Sequence, residues 1–303
     1  MRSRSRRAGW ASTRSSRCAA PLTATAASAR SRGEPAARVA AGHPRRRVRG
    51  RPGAFAIGAA TGRHRVVDVA WGLGFAAVAV TGLVLSGGHG DPATRWLVTA
   101  LTVIWGVRLA LHIGIRSVGA PEDPRYERLL AKAKGSRTAY AFRMIYLLQG
   151  VTLWFVSLPV QVAQHHDAPL SWWAAIGVAV WLTGFTFEAV GDAQLARFRR
   201  DPANRGKVLS SGLWRFTRHP NYFGDACVWW GLFALACMQW QGWLTVLSPL
   251  LMTWFLAGKT GKPMLEEQLR QTRPGYADYV ERTSGFIPRP PKPASSATGR
   301  GGA

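Results

Sequence analysis

Six apolar runs of roughly twenty residues, parted by polar connections, fill most of the chain after residue 65. They cover about 66–86, 95–115, 142–164, 171–191, 221–239 and 241–258. A helix needs about 20 such residues to cross the hydrocarbon of a bilayer, so each run predicts one spanning helix. Asp68 lies near the start of the first, and Glu188 and Asp192 near the end of the fourth; the cores are otherwise almost free of charge. The expected fold is all-α, a polytopic membrane bundle of about six transmembrane helices.

The connections predict its orientation. Lys and Arg gather in alternate loops: Arg125, Arg128, Lys132, Lys134 and Arg137 after the second run, Arg197, Arg199, Arg200, Arg205, Lys207, Arg215 and Arg218 after the fourth, and Lys259, Lys262, Arg270, Arg273 and Arg282 after the sixth. The connections at 87–94, 165–170 and around 240 hold neither residue. Basic loops stay cytoplasmic, which puts both termini on that side. Two more elements are expected there. Residues 193–201 extend the fourth helix by a basic amphipathic turn that Pro202 ends. Residues 263–283 read as a surface-lying amphipathic helix broken at Pro274-Gly275, with Leu265, Leu269, Tyr276, Tyr279 and Val280 on its apolar side.

Composition divides the chain. Residues 1–65 carry sixteen Arg against one acid, Glu34, and so supply +15 of the formal net charge of +25. Such a segment cannot bury enough apolar surface to offset chain entropy. Residues 1–62 are expected to be disordered, the product of a start codon assigned too far upstream. The membrane domain then runs over 63–288, and the Pro/Gly/Ser-rich residues 289–303 form a disordered tail. A run of Arg suggests nucleic acid, yet it lacks interleaved aromatics, and no nucleic-acid partner is expected. It also lacks the short apolar core of a secretory signal. Cys18, Cys227 and Cys237 make no disulfide framework. Many of the fourteen Trp fall at run ends, where amphipathic rings prefer the membrane boundary.

Candidate chemistry concentrates where runs four, five and six end. Glu188 and Asp192 are four apart, on one helix face. Arg197 and Arg199 follow, then Asn204-Arg205-Gly206-Lys207, then the stretch Trp214–Asp225 with Arg218, His219, Asn221 and Tyr222. Ionisable groups at that depth are expensive and mark function by default. Clustered Arg and Lys suit a phosphate-bearing ligand, while the acids can accept from ribose hydroxyls. Together they predict a nucleotide cofactor among the helix ends. Neither a Gly-x-Gly-x-x-Gly turn after a strand nor a phosphate-loop motif occurs. His165-His166-Asp167 has metal-ligand types, but no further ligand lies nearby in sequence, and no metal is expected. No paired Ser or Cys nucleophile is visible.

Three stretches together resemble a known family: Phe187-Glu188 through Asp192 to Arg199, Pro202 through Lys207, and Gly212-Leu-Trp-Arg-Phe-Thr-Arg-His-Pro-Asn-Tyr-Phe-Gly-Asp225. The tail from Gly261-Lys262 and Glu266 through Tyr276 and Tyr279 to Pro288 is similar too. The family is the steroid 5-alpha-reductase superfamily, more closely its bacterial branch of multi-pass membrane proteins. The likeness is strongest over about 180–288; Trp105 through Arg108 to His112 and Glu122 through Tyr126 extend it. It implies an inner-membrane reductase of lipid metabolism. Such an enzyme takes a hydride from NADPH to a carbon–carbon double bond of a lipophilic, steroid- or isoprenoid-like substrate. Carried over by position, cofactor contacts fall on Glu188, Asp192, Arg199, Asn221 and Asp225, with Arg218, His219 and Tyr222 in the same loop and Lys262 and Glu266 from the tail. His112, Tyr126 and Tyr146 are the candidate proton donors, since each can polarise a carbonyl and release a proton. The same architecture resembles the isoprenylcysteine carboxyl methyltransferases, which would use S-adenosylmethionine. A non-catalytic membrane protein with that fold is a further alternative.

Overall fold

The computed structural model describes residues 64–119, 121–167, 169–259 and 262–293. The expectations for 1–62 and for the end of the tail lie outside the described residues. Regular structure among the described residues is helical: α1 (Val66–Leu85), α2 (Pro92–Ser117), α3 (Pro124–Leu130), α4 (Arg137–Val156), α5 (Leu158–Ala163), α6 (Trp172–Arg200), α7 (Pro220–Ala236), α8 (Trp240–Trp243), α9 (Leu247–Trp254), α10 (Lys262–Thr272) and α11 (Tyr276–Arg282). Local chemistry sets several of the starts. Asp91 caps α2 by accepting from Thr94 N at 2.8 Å, with Pro92 as the first helical residue. Asp123 and Pro124 repeat the device at α3. At α6 the basic turn is continuous with the apolar helix and stops ahead of Pro202, as its missing N–H requires.

Four helices, α1, α2, α4 and α6, are long and apolar enough to cross a membrane, which makes this a multi-pass membrane protein. The third run is one of these, but it breaks at Ser157, because Pro159 withdraws a helical donor, leaving the spanning α4 and the short α5. The last two expected spans take different forms. Helix α7 has 17 residues. The run at 241–258 divides into α8, α9 and a π-helical turn, Phe255–Lys259. Gly242 explains the first division: a Cβ there would lie 1.9 Å from Ala236 O, so the chain doubles back on the end of α7 before α9 begins. Expected residues 263–283 form α10 and α11, parted at Gly275 with φ 76°.

The core joins α1, α2, the end of α4, α5, α6, α7 and α9. Phe75, Trp105 and Trp229, all fully buried, meet with ring centroids 4.5–5.5 Å apart. The tightest helix pair is α6 with α7. A Cβ on Gly224 would stand 2.5 Å from both Gly184 O and Glu188 N, so the two backbones touch where a side chain would hold them apart. That contact sets α7 directly against Glu188. At the opposite end, the loops free of Lys and Arg are knotted together. Gly90 N donates to Asp167 at 3.1 Å, Asp91 N donates to His166 O, and the buried Gln164 amide donates to Ala79 O and Thr99 Oγ1.

Candidate functional site

Three helices bring polar side chains to one interior point. On α2, Trp105, Arg108 and His112 share a face at three- and four-residue spacing. On α6 the facing pair is Glu188 and Asp192, one turn apart, and on α7 it is Asn221 and Asp225. Arg108 lies between the two α6 acids: Nη1 donates to Glu188 Oε1 at 2.7 Å, and Nη2 to Asp192 Oδ2 at 2.5 Å and to Glu188 O at 3.3 Å. The Trp105 indole donates to the other Glu188 oxygen at 2.7 Å, and the Asn221 amide to Asp192 Oδ1 at 3.1 Å. His112 Nε2 stands 3.6 Å from Asp192. Glu188 and Asp192 are 3% and 6% exposed, so each carboxylate depends on these donors to offset its desolvation. Asp225 is the exception: it is buried with the indole nitrogen of Trp229, one turn on, as its neighbouring donor, and neither Asp225 Oδ1 nor that nitrogen has a further partner among the described residues.

Beyond Asp192, α6 forms one wall of a cavity of about 240 Å³. Its apolar walls include Leu195, Phe198, Trp214, Leu265, Leu269 and Tyr276. Its cations are Arg199, Arg200, Arg205, Lys207, Arg218 and Arg273. Apart from Arg218, none of these cations forms an ion pair among the described residues. The one acid on the wall, Asp201, is occupied in accepting from Ala203 N and from the Asn204 amide at the 3₁₀ turn Pro202–Asn204. Trp214 ties the cavity to the interior point, because its indole donates to Gly191 O at 3.1 Å. Unpaired cations beside apolar and aromatic walls fit a ligand carrying phosphates on an aromatic body.

Arg218 and His219 are held differently. Arg218 Nε donates to Glu266 Oε1 at 2.9 Å and Nη2 to Oε2 at 3.3 Å; Nη1 donates to the carbonyls of Val280 and Thr283. His219 Nε2 sits 3.0 Å from the same Glu266 oxygen, and its ring stacks on Tyr222 at 5.2 Å. Burial alone would raise the Glu266 pKa, but hydrogen bonds from His219 and Arg218 and the charge of Arg218 hold it at about 2. Burial lowers that of His219, against the pull of Glu266. The guanidinium is thus committed to fastening α10 and α11 over the start of α7, with one side on the cavity. Tyr279 OH adds a bond to Trp214 O at 2.5 Å.

Of the residues expected at a cofactor site, the structure gathers Glu188, Asp192, Asn221 and Asp225 at the interior point. Arg199, Asn204, Lys207, Trp214, Arg218 and His219 line the cavity, and Glu266 is tied to its wall. Arg197 is exposed and off the cavity. Lys262 reaches over Gly285 instead. The three candidate proton donors fall in two places. His112 joins the interior point. Tyr126 donates its hydroxyl to Asp68 at 2.6 Å and lies 3.4 Å from the Gln149 amide; burial, and then the charge of Asp68, raise its pKa. Tyr146 meets His64 Nδ1 at 3.0 Å in the neighbouring cluster. Sequence reasoning missed Arg108 and Trp105 as members of the site, and Arg200 and Arg273 as members of the cavity. An Arg deep in an apolar run, four residues before a His, was the available signal for the first.

A family model described as "Protein of unknown function (DUF1295)" matches residues 54–283. The chain is 23% identical over 230 residues to an uncharacterized protein of Schizosaccharomyces pombe, which takes in 67% of this chain and 66% of that one. It is 35% identical over 81 residues to a steroid 5-alpha-reductase of Arabidopsis thaliana, 26% of this chain and 30% of that one. The chain therefore spans less than two thirds of either relative. No solved structure matches it. On a match that takes in most of the described fold, the chain belongs to the DUF1295 family, and it is steroid 5-alpha-reductase-like.

Proposed function

We propose that this protein is a membrane reductase that uses NADPH to reduce a carbon–carbon double bond in a lipophilic substrate. The observation that carries the reading is the cavity at the end of α6, with five cations that no acid neutralises and an apolar wall against them. From Glu188 to Arg199, α6 advances ~16 Å, a distance suited to an extended dinucleotide. Arg199, Arg205, Lys207 and Arg273 would hold its phosphates, and the interior acids would face its other end. NADPH supplies the hydride when bound. Of the chain's own groups, His112 is the proton donor best supported by position, since it alone of the three candidates shares the interior point with Asp192. Arg108 and Trp105 orient Glu188, and Asn221 orients Asp192. The likeness to the plant reductase favours the same chemistry.

Binding of NADPH, NADH and S-adenosylmethionine to detergent-purified protein, compared side by side, tests the reading. NADPH should bind most tightly, and Arg205→Gln should weaken it. Tight S-adenosylmethionine binding without NADPH binding would overturn the proposal. Reporter fusions test the accompanying orientation, in which the cavity faces the cytoplasm: fusions after Gly135, Lys207 and Pro290 should read cytoplasmic, and those at Gly90 and Asp167 external.

A further inference from the structure

A second basic cavity lies on the far side of Arg218. The segment Ser284–Lys292 folds back against the stretch that leads into α7. Thr217 and Ser284 form a parallel bridge, Thr217 Oγ1 donates to Phe286 O at 2.8 Å, and Arg289 N donates to Phe216 O at 2.9 Å. Lys292 N closes the loop on Arg282 O at 2.9 Å. Between these strands of chain is a space of about 300 Å³, walled by Arg282, Arg289, Lys292, the backbone of Thr283–Gly285 and the edge of Arg218. Lys262 also arrives here. A Cβ built on Gly285 would lie 2.6 Å from Lys262 Nζ and 3.1 Å from an Arg218 nitrogen, so the glycine leaves room for two cationic groups to converge.

The charge there is one-sided. Arg282, Arg289, Lys292 and Lys262 form no ion pair among the described residues. Arg218 is already neutralised by Glu266, and Glu281 is the only acid on the wall. Three cations on the wall against one carboxylate, with Lys262 reaching Gly285 beside them, fit the oxygens of a phosphate group. The surroundings say where that phosphate comes from. Phe216 is 39% exposed and Ile287 57% exposed. Both stand beside the cavity: Phe216 shares the bond to Arg289 N, and Ile287 O accepts from Ser284 Oγ at 2.5 Å. Phe216 is also four residues ahead of Pro220, where the apolar helix α7 begins. An apolar pair rimming a cationic space at the foot of an apolar helix matches a lipid, with its headgroup and its acyl chains on adjoining surfaces.

We propose that this cavity binds the phosphate headgroup of an anionic membrane phospholipid, with Phe216 and Ile287 set among its acyl chains. The site is distinct from the cavity assigned to the cofactor. A bound lipid would clamp the Ser284–Lys292 segment, and with it α11, against the start of α7. The proposal rests on the protein's being embedded in a membrane and not on the reductase reading, and the two fail separately.

The test uses the full chain in nanodiscs of phosphatidylcholine alone, and of phosphatidylcholine with a fifth phosphatidylglycerol. Lipid retained after detergent extraction is counted by native mass spectrometry, and thermal unfolding is followed in parallel. Phosphatidylglycerol should be retained over phosphatidylcholine by at least tenfold and should raise the unfolding midpoint. Arg289→Gln with Lys292→Gln keeps both backbone N–H bonds, and should cut retention about tenfold while leaving the midpoint in pure phosphatidylcholine unchanged. Phe216→Ser with Ile287→Ser should cut lipid retention but not the weak stabilisation given by inorganic phosphate. Equal retention of the two lipids overturns the proposal, as does retention that ignores both pairs of substitutions. Stabilisation by inorganic phosphate that matches the lipid's, and that the apolar substitutions leave intact, overturns the lipid assignment in favour of a soluble phosphate ligand.

Discussion

Replacing Arg108 by Met gives the sharpest test of the interior point. Met keeps the apolar stem and its packing against α6 but removes the guanidinium. Three hydrogen bonds are lost, two of them at 2.7 Å or less and both to buried carboxylates. Glu188 keeps the Trp105 indole and Asp192 keeps the Asn221 amide, which is too few for two acids that are each more than nine-tenths buried. Removing one partner of a buried ion pair costs about 3–5 kcal/mol, because the other charge stays buried. In a domain of this size that lowers the unfolding midpoint by roughly 6–20 °C, at about 2–4 °C per kcal/mol. The assay is thermal unfolding in detergent, followed by tryptophan fluorescence, on the two single variants and on the combination with Glu188→Gln. The combination should recover at least half of the loss, since it removes the stranded charge as well as its partner. A single variant within about 1 kcal/mol of the parent would falsify the account. So would a combination that simply adds the two losses.

The acid knot at the C-terminus should respond to pH in one direction. The Glu266 pKa is held at about 2 against an ordinary 4.5, so its stabilisation is full above about 4.5 and fades as the pH falls toward 2. His219 has a lowered pKa and begins the same loss below 6.5. Proteolysis within α10 and α11 should therefore accelerate on acidification, and Glu266→Gln should flatten the part of the profile below 4.5; faster cleavage at high pH would contradict both. Arg205→Gln with Lys207→Gln should weaken NADPH by at least about tenfold, a loss of 1.4 kcal/mol or more, with no change in the unfolding midpoint. Retained affinity would remove the cavity from the site. Gly224→Ala should destabilise the bundle by about 2 kcal/mol or more through overpacking against Gly184 O and Glu188 N. A neutral result there would mean that α6 and α7 are less tightly docked.

Hydropathy made the helical class and the first four spans legible, because a run of twenty apolar residues needs no tertiary information to be recognised. It misjudged the end of the third run and the continuity of the last for a definable reason. Hydropathy registers composition, whereas Gly242 acts through a backbone contact with Ala236, and Pro159 through a missing donor. The cofactor candidates were legible as a set, since acids and cations at helix ends are expensive enough to stand out. Their division was not. Arg218 and Arg199 look alike in sequence, yet Glu266, almost fifty residues further on, engages the first and not the second.

That division bears on what each charge can do. A guanidinium already bonded to a carboxylate and two carbonyls has little left to offer a ligand, while an unpaired one keeps its donors for a phosphate. The free cations of the cavity belong to the end of α6, the turn after it and the link between α10 and α11, and the committed one fastens the cover that α10 and α11 make over them. Arg108 plays the corresponding part inside the membrane. It joins α2, which brings His112, to the acids of α6, so the candidate proton donor and the candidate cofactor acids move as one unit. A rearrangement at either acid must therefore be felt at His112, from Glu188 through Trp105 and Arg108 and from Asp192 through Arg108 and directly, and the Arg108→Met variant should loosen the two halves before it unfolds them.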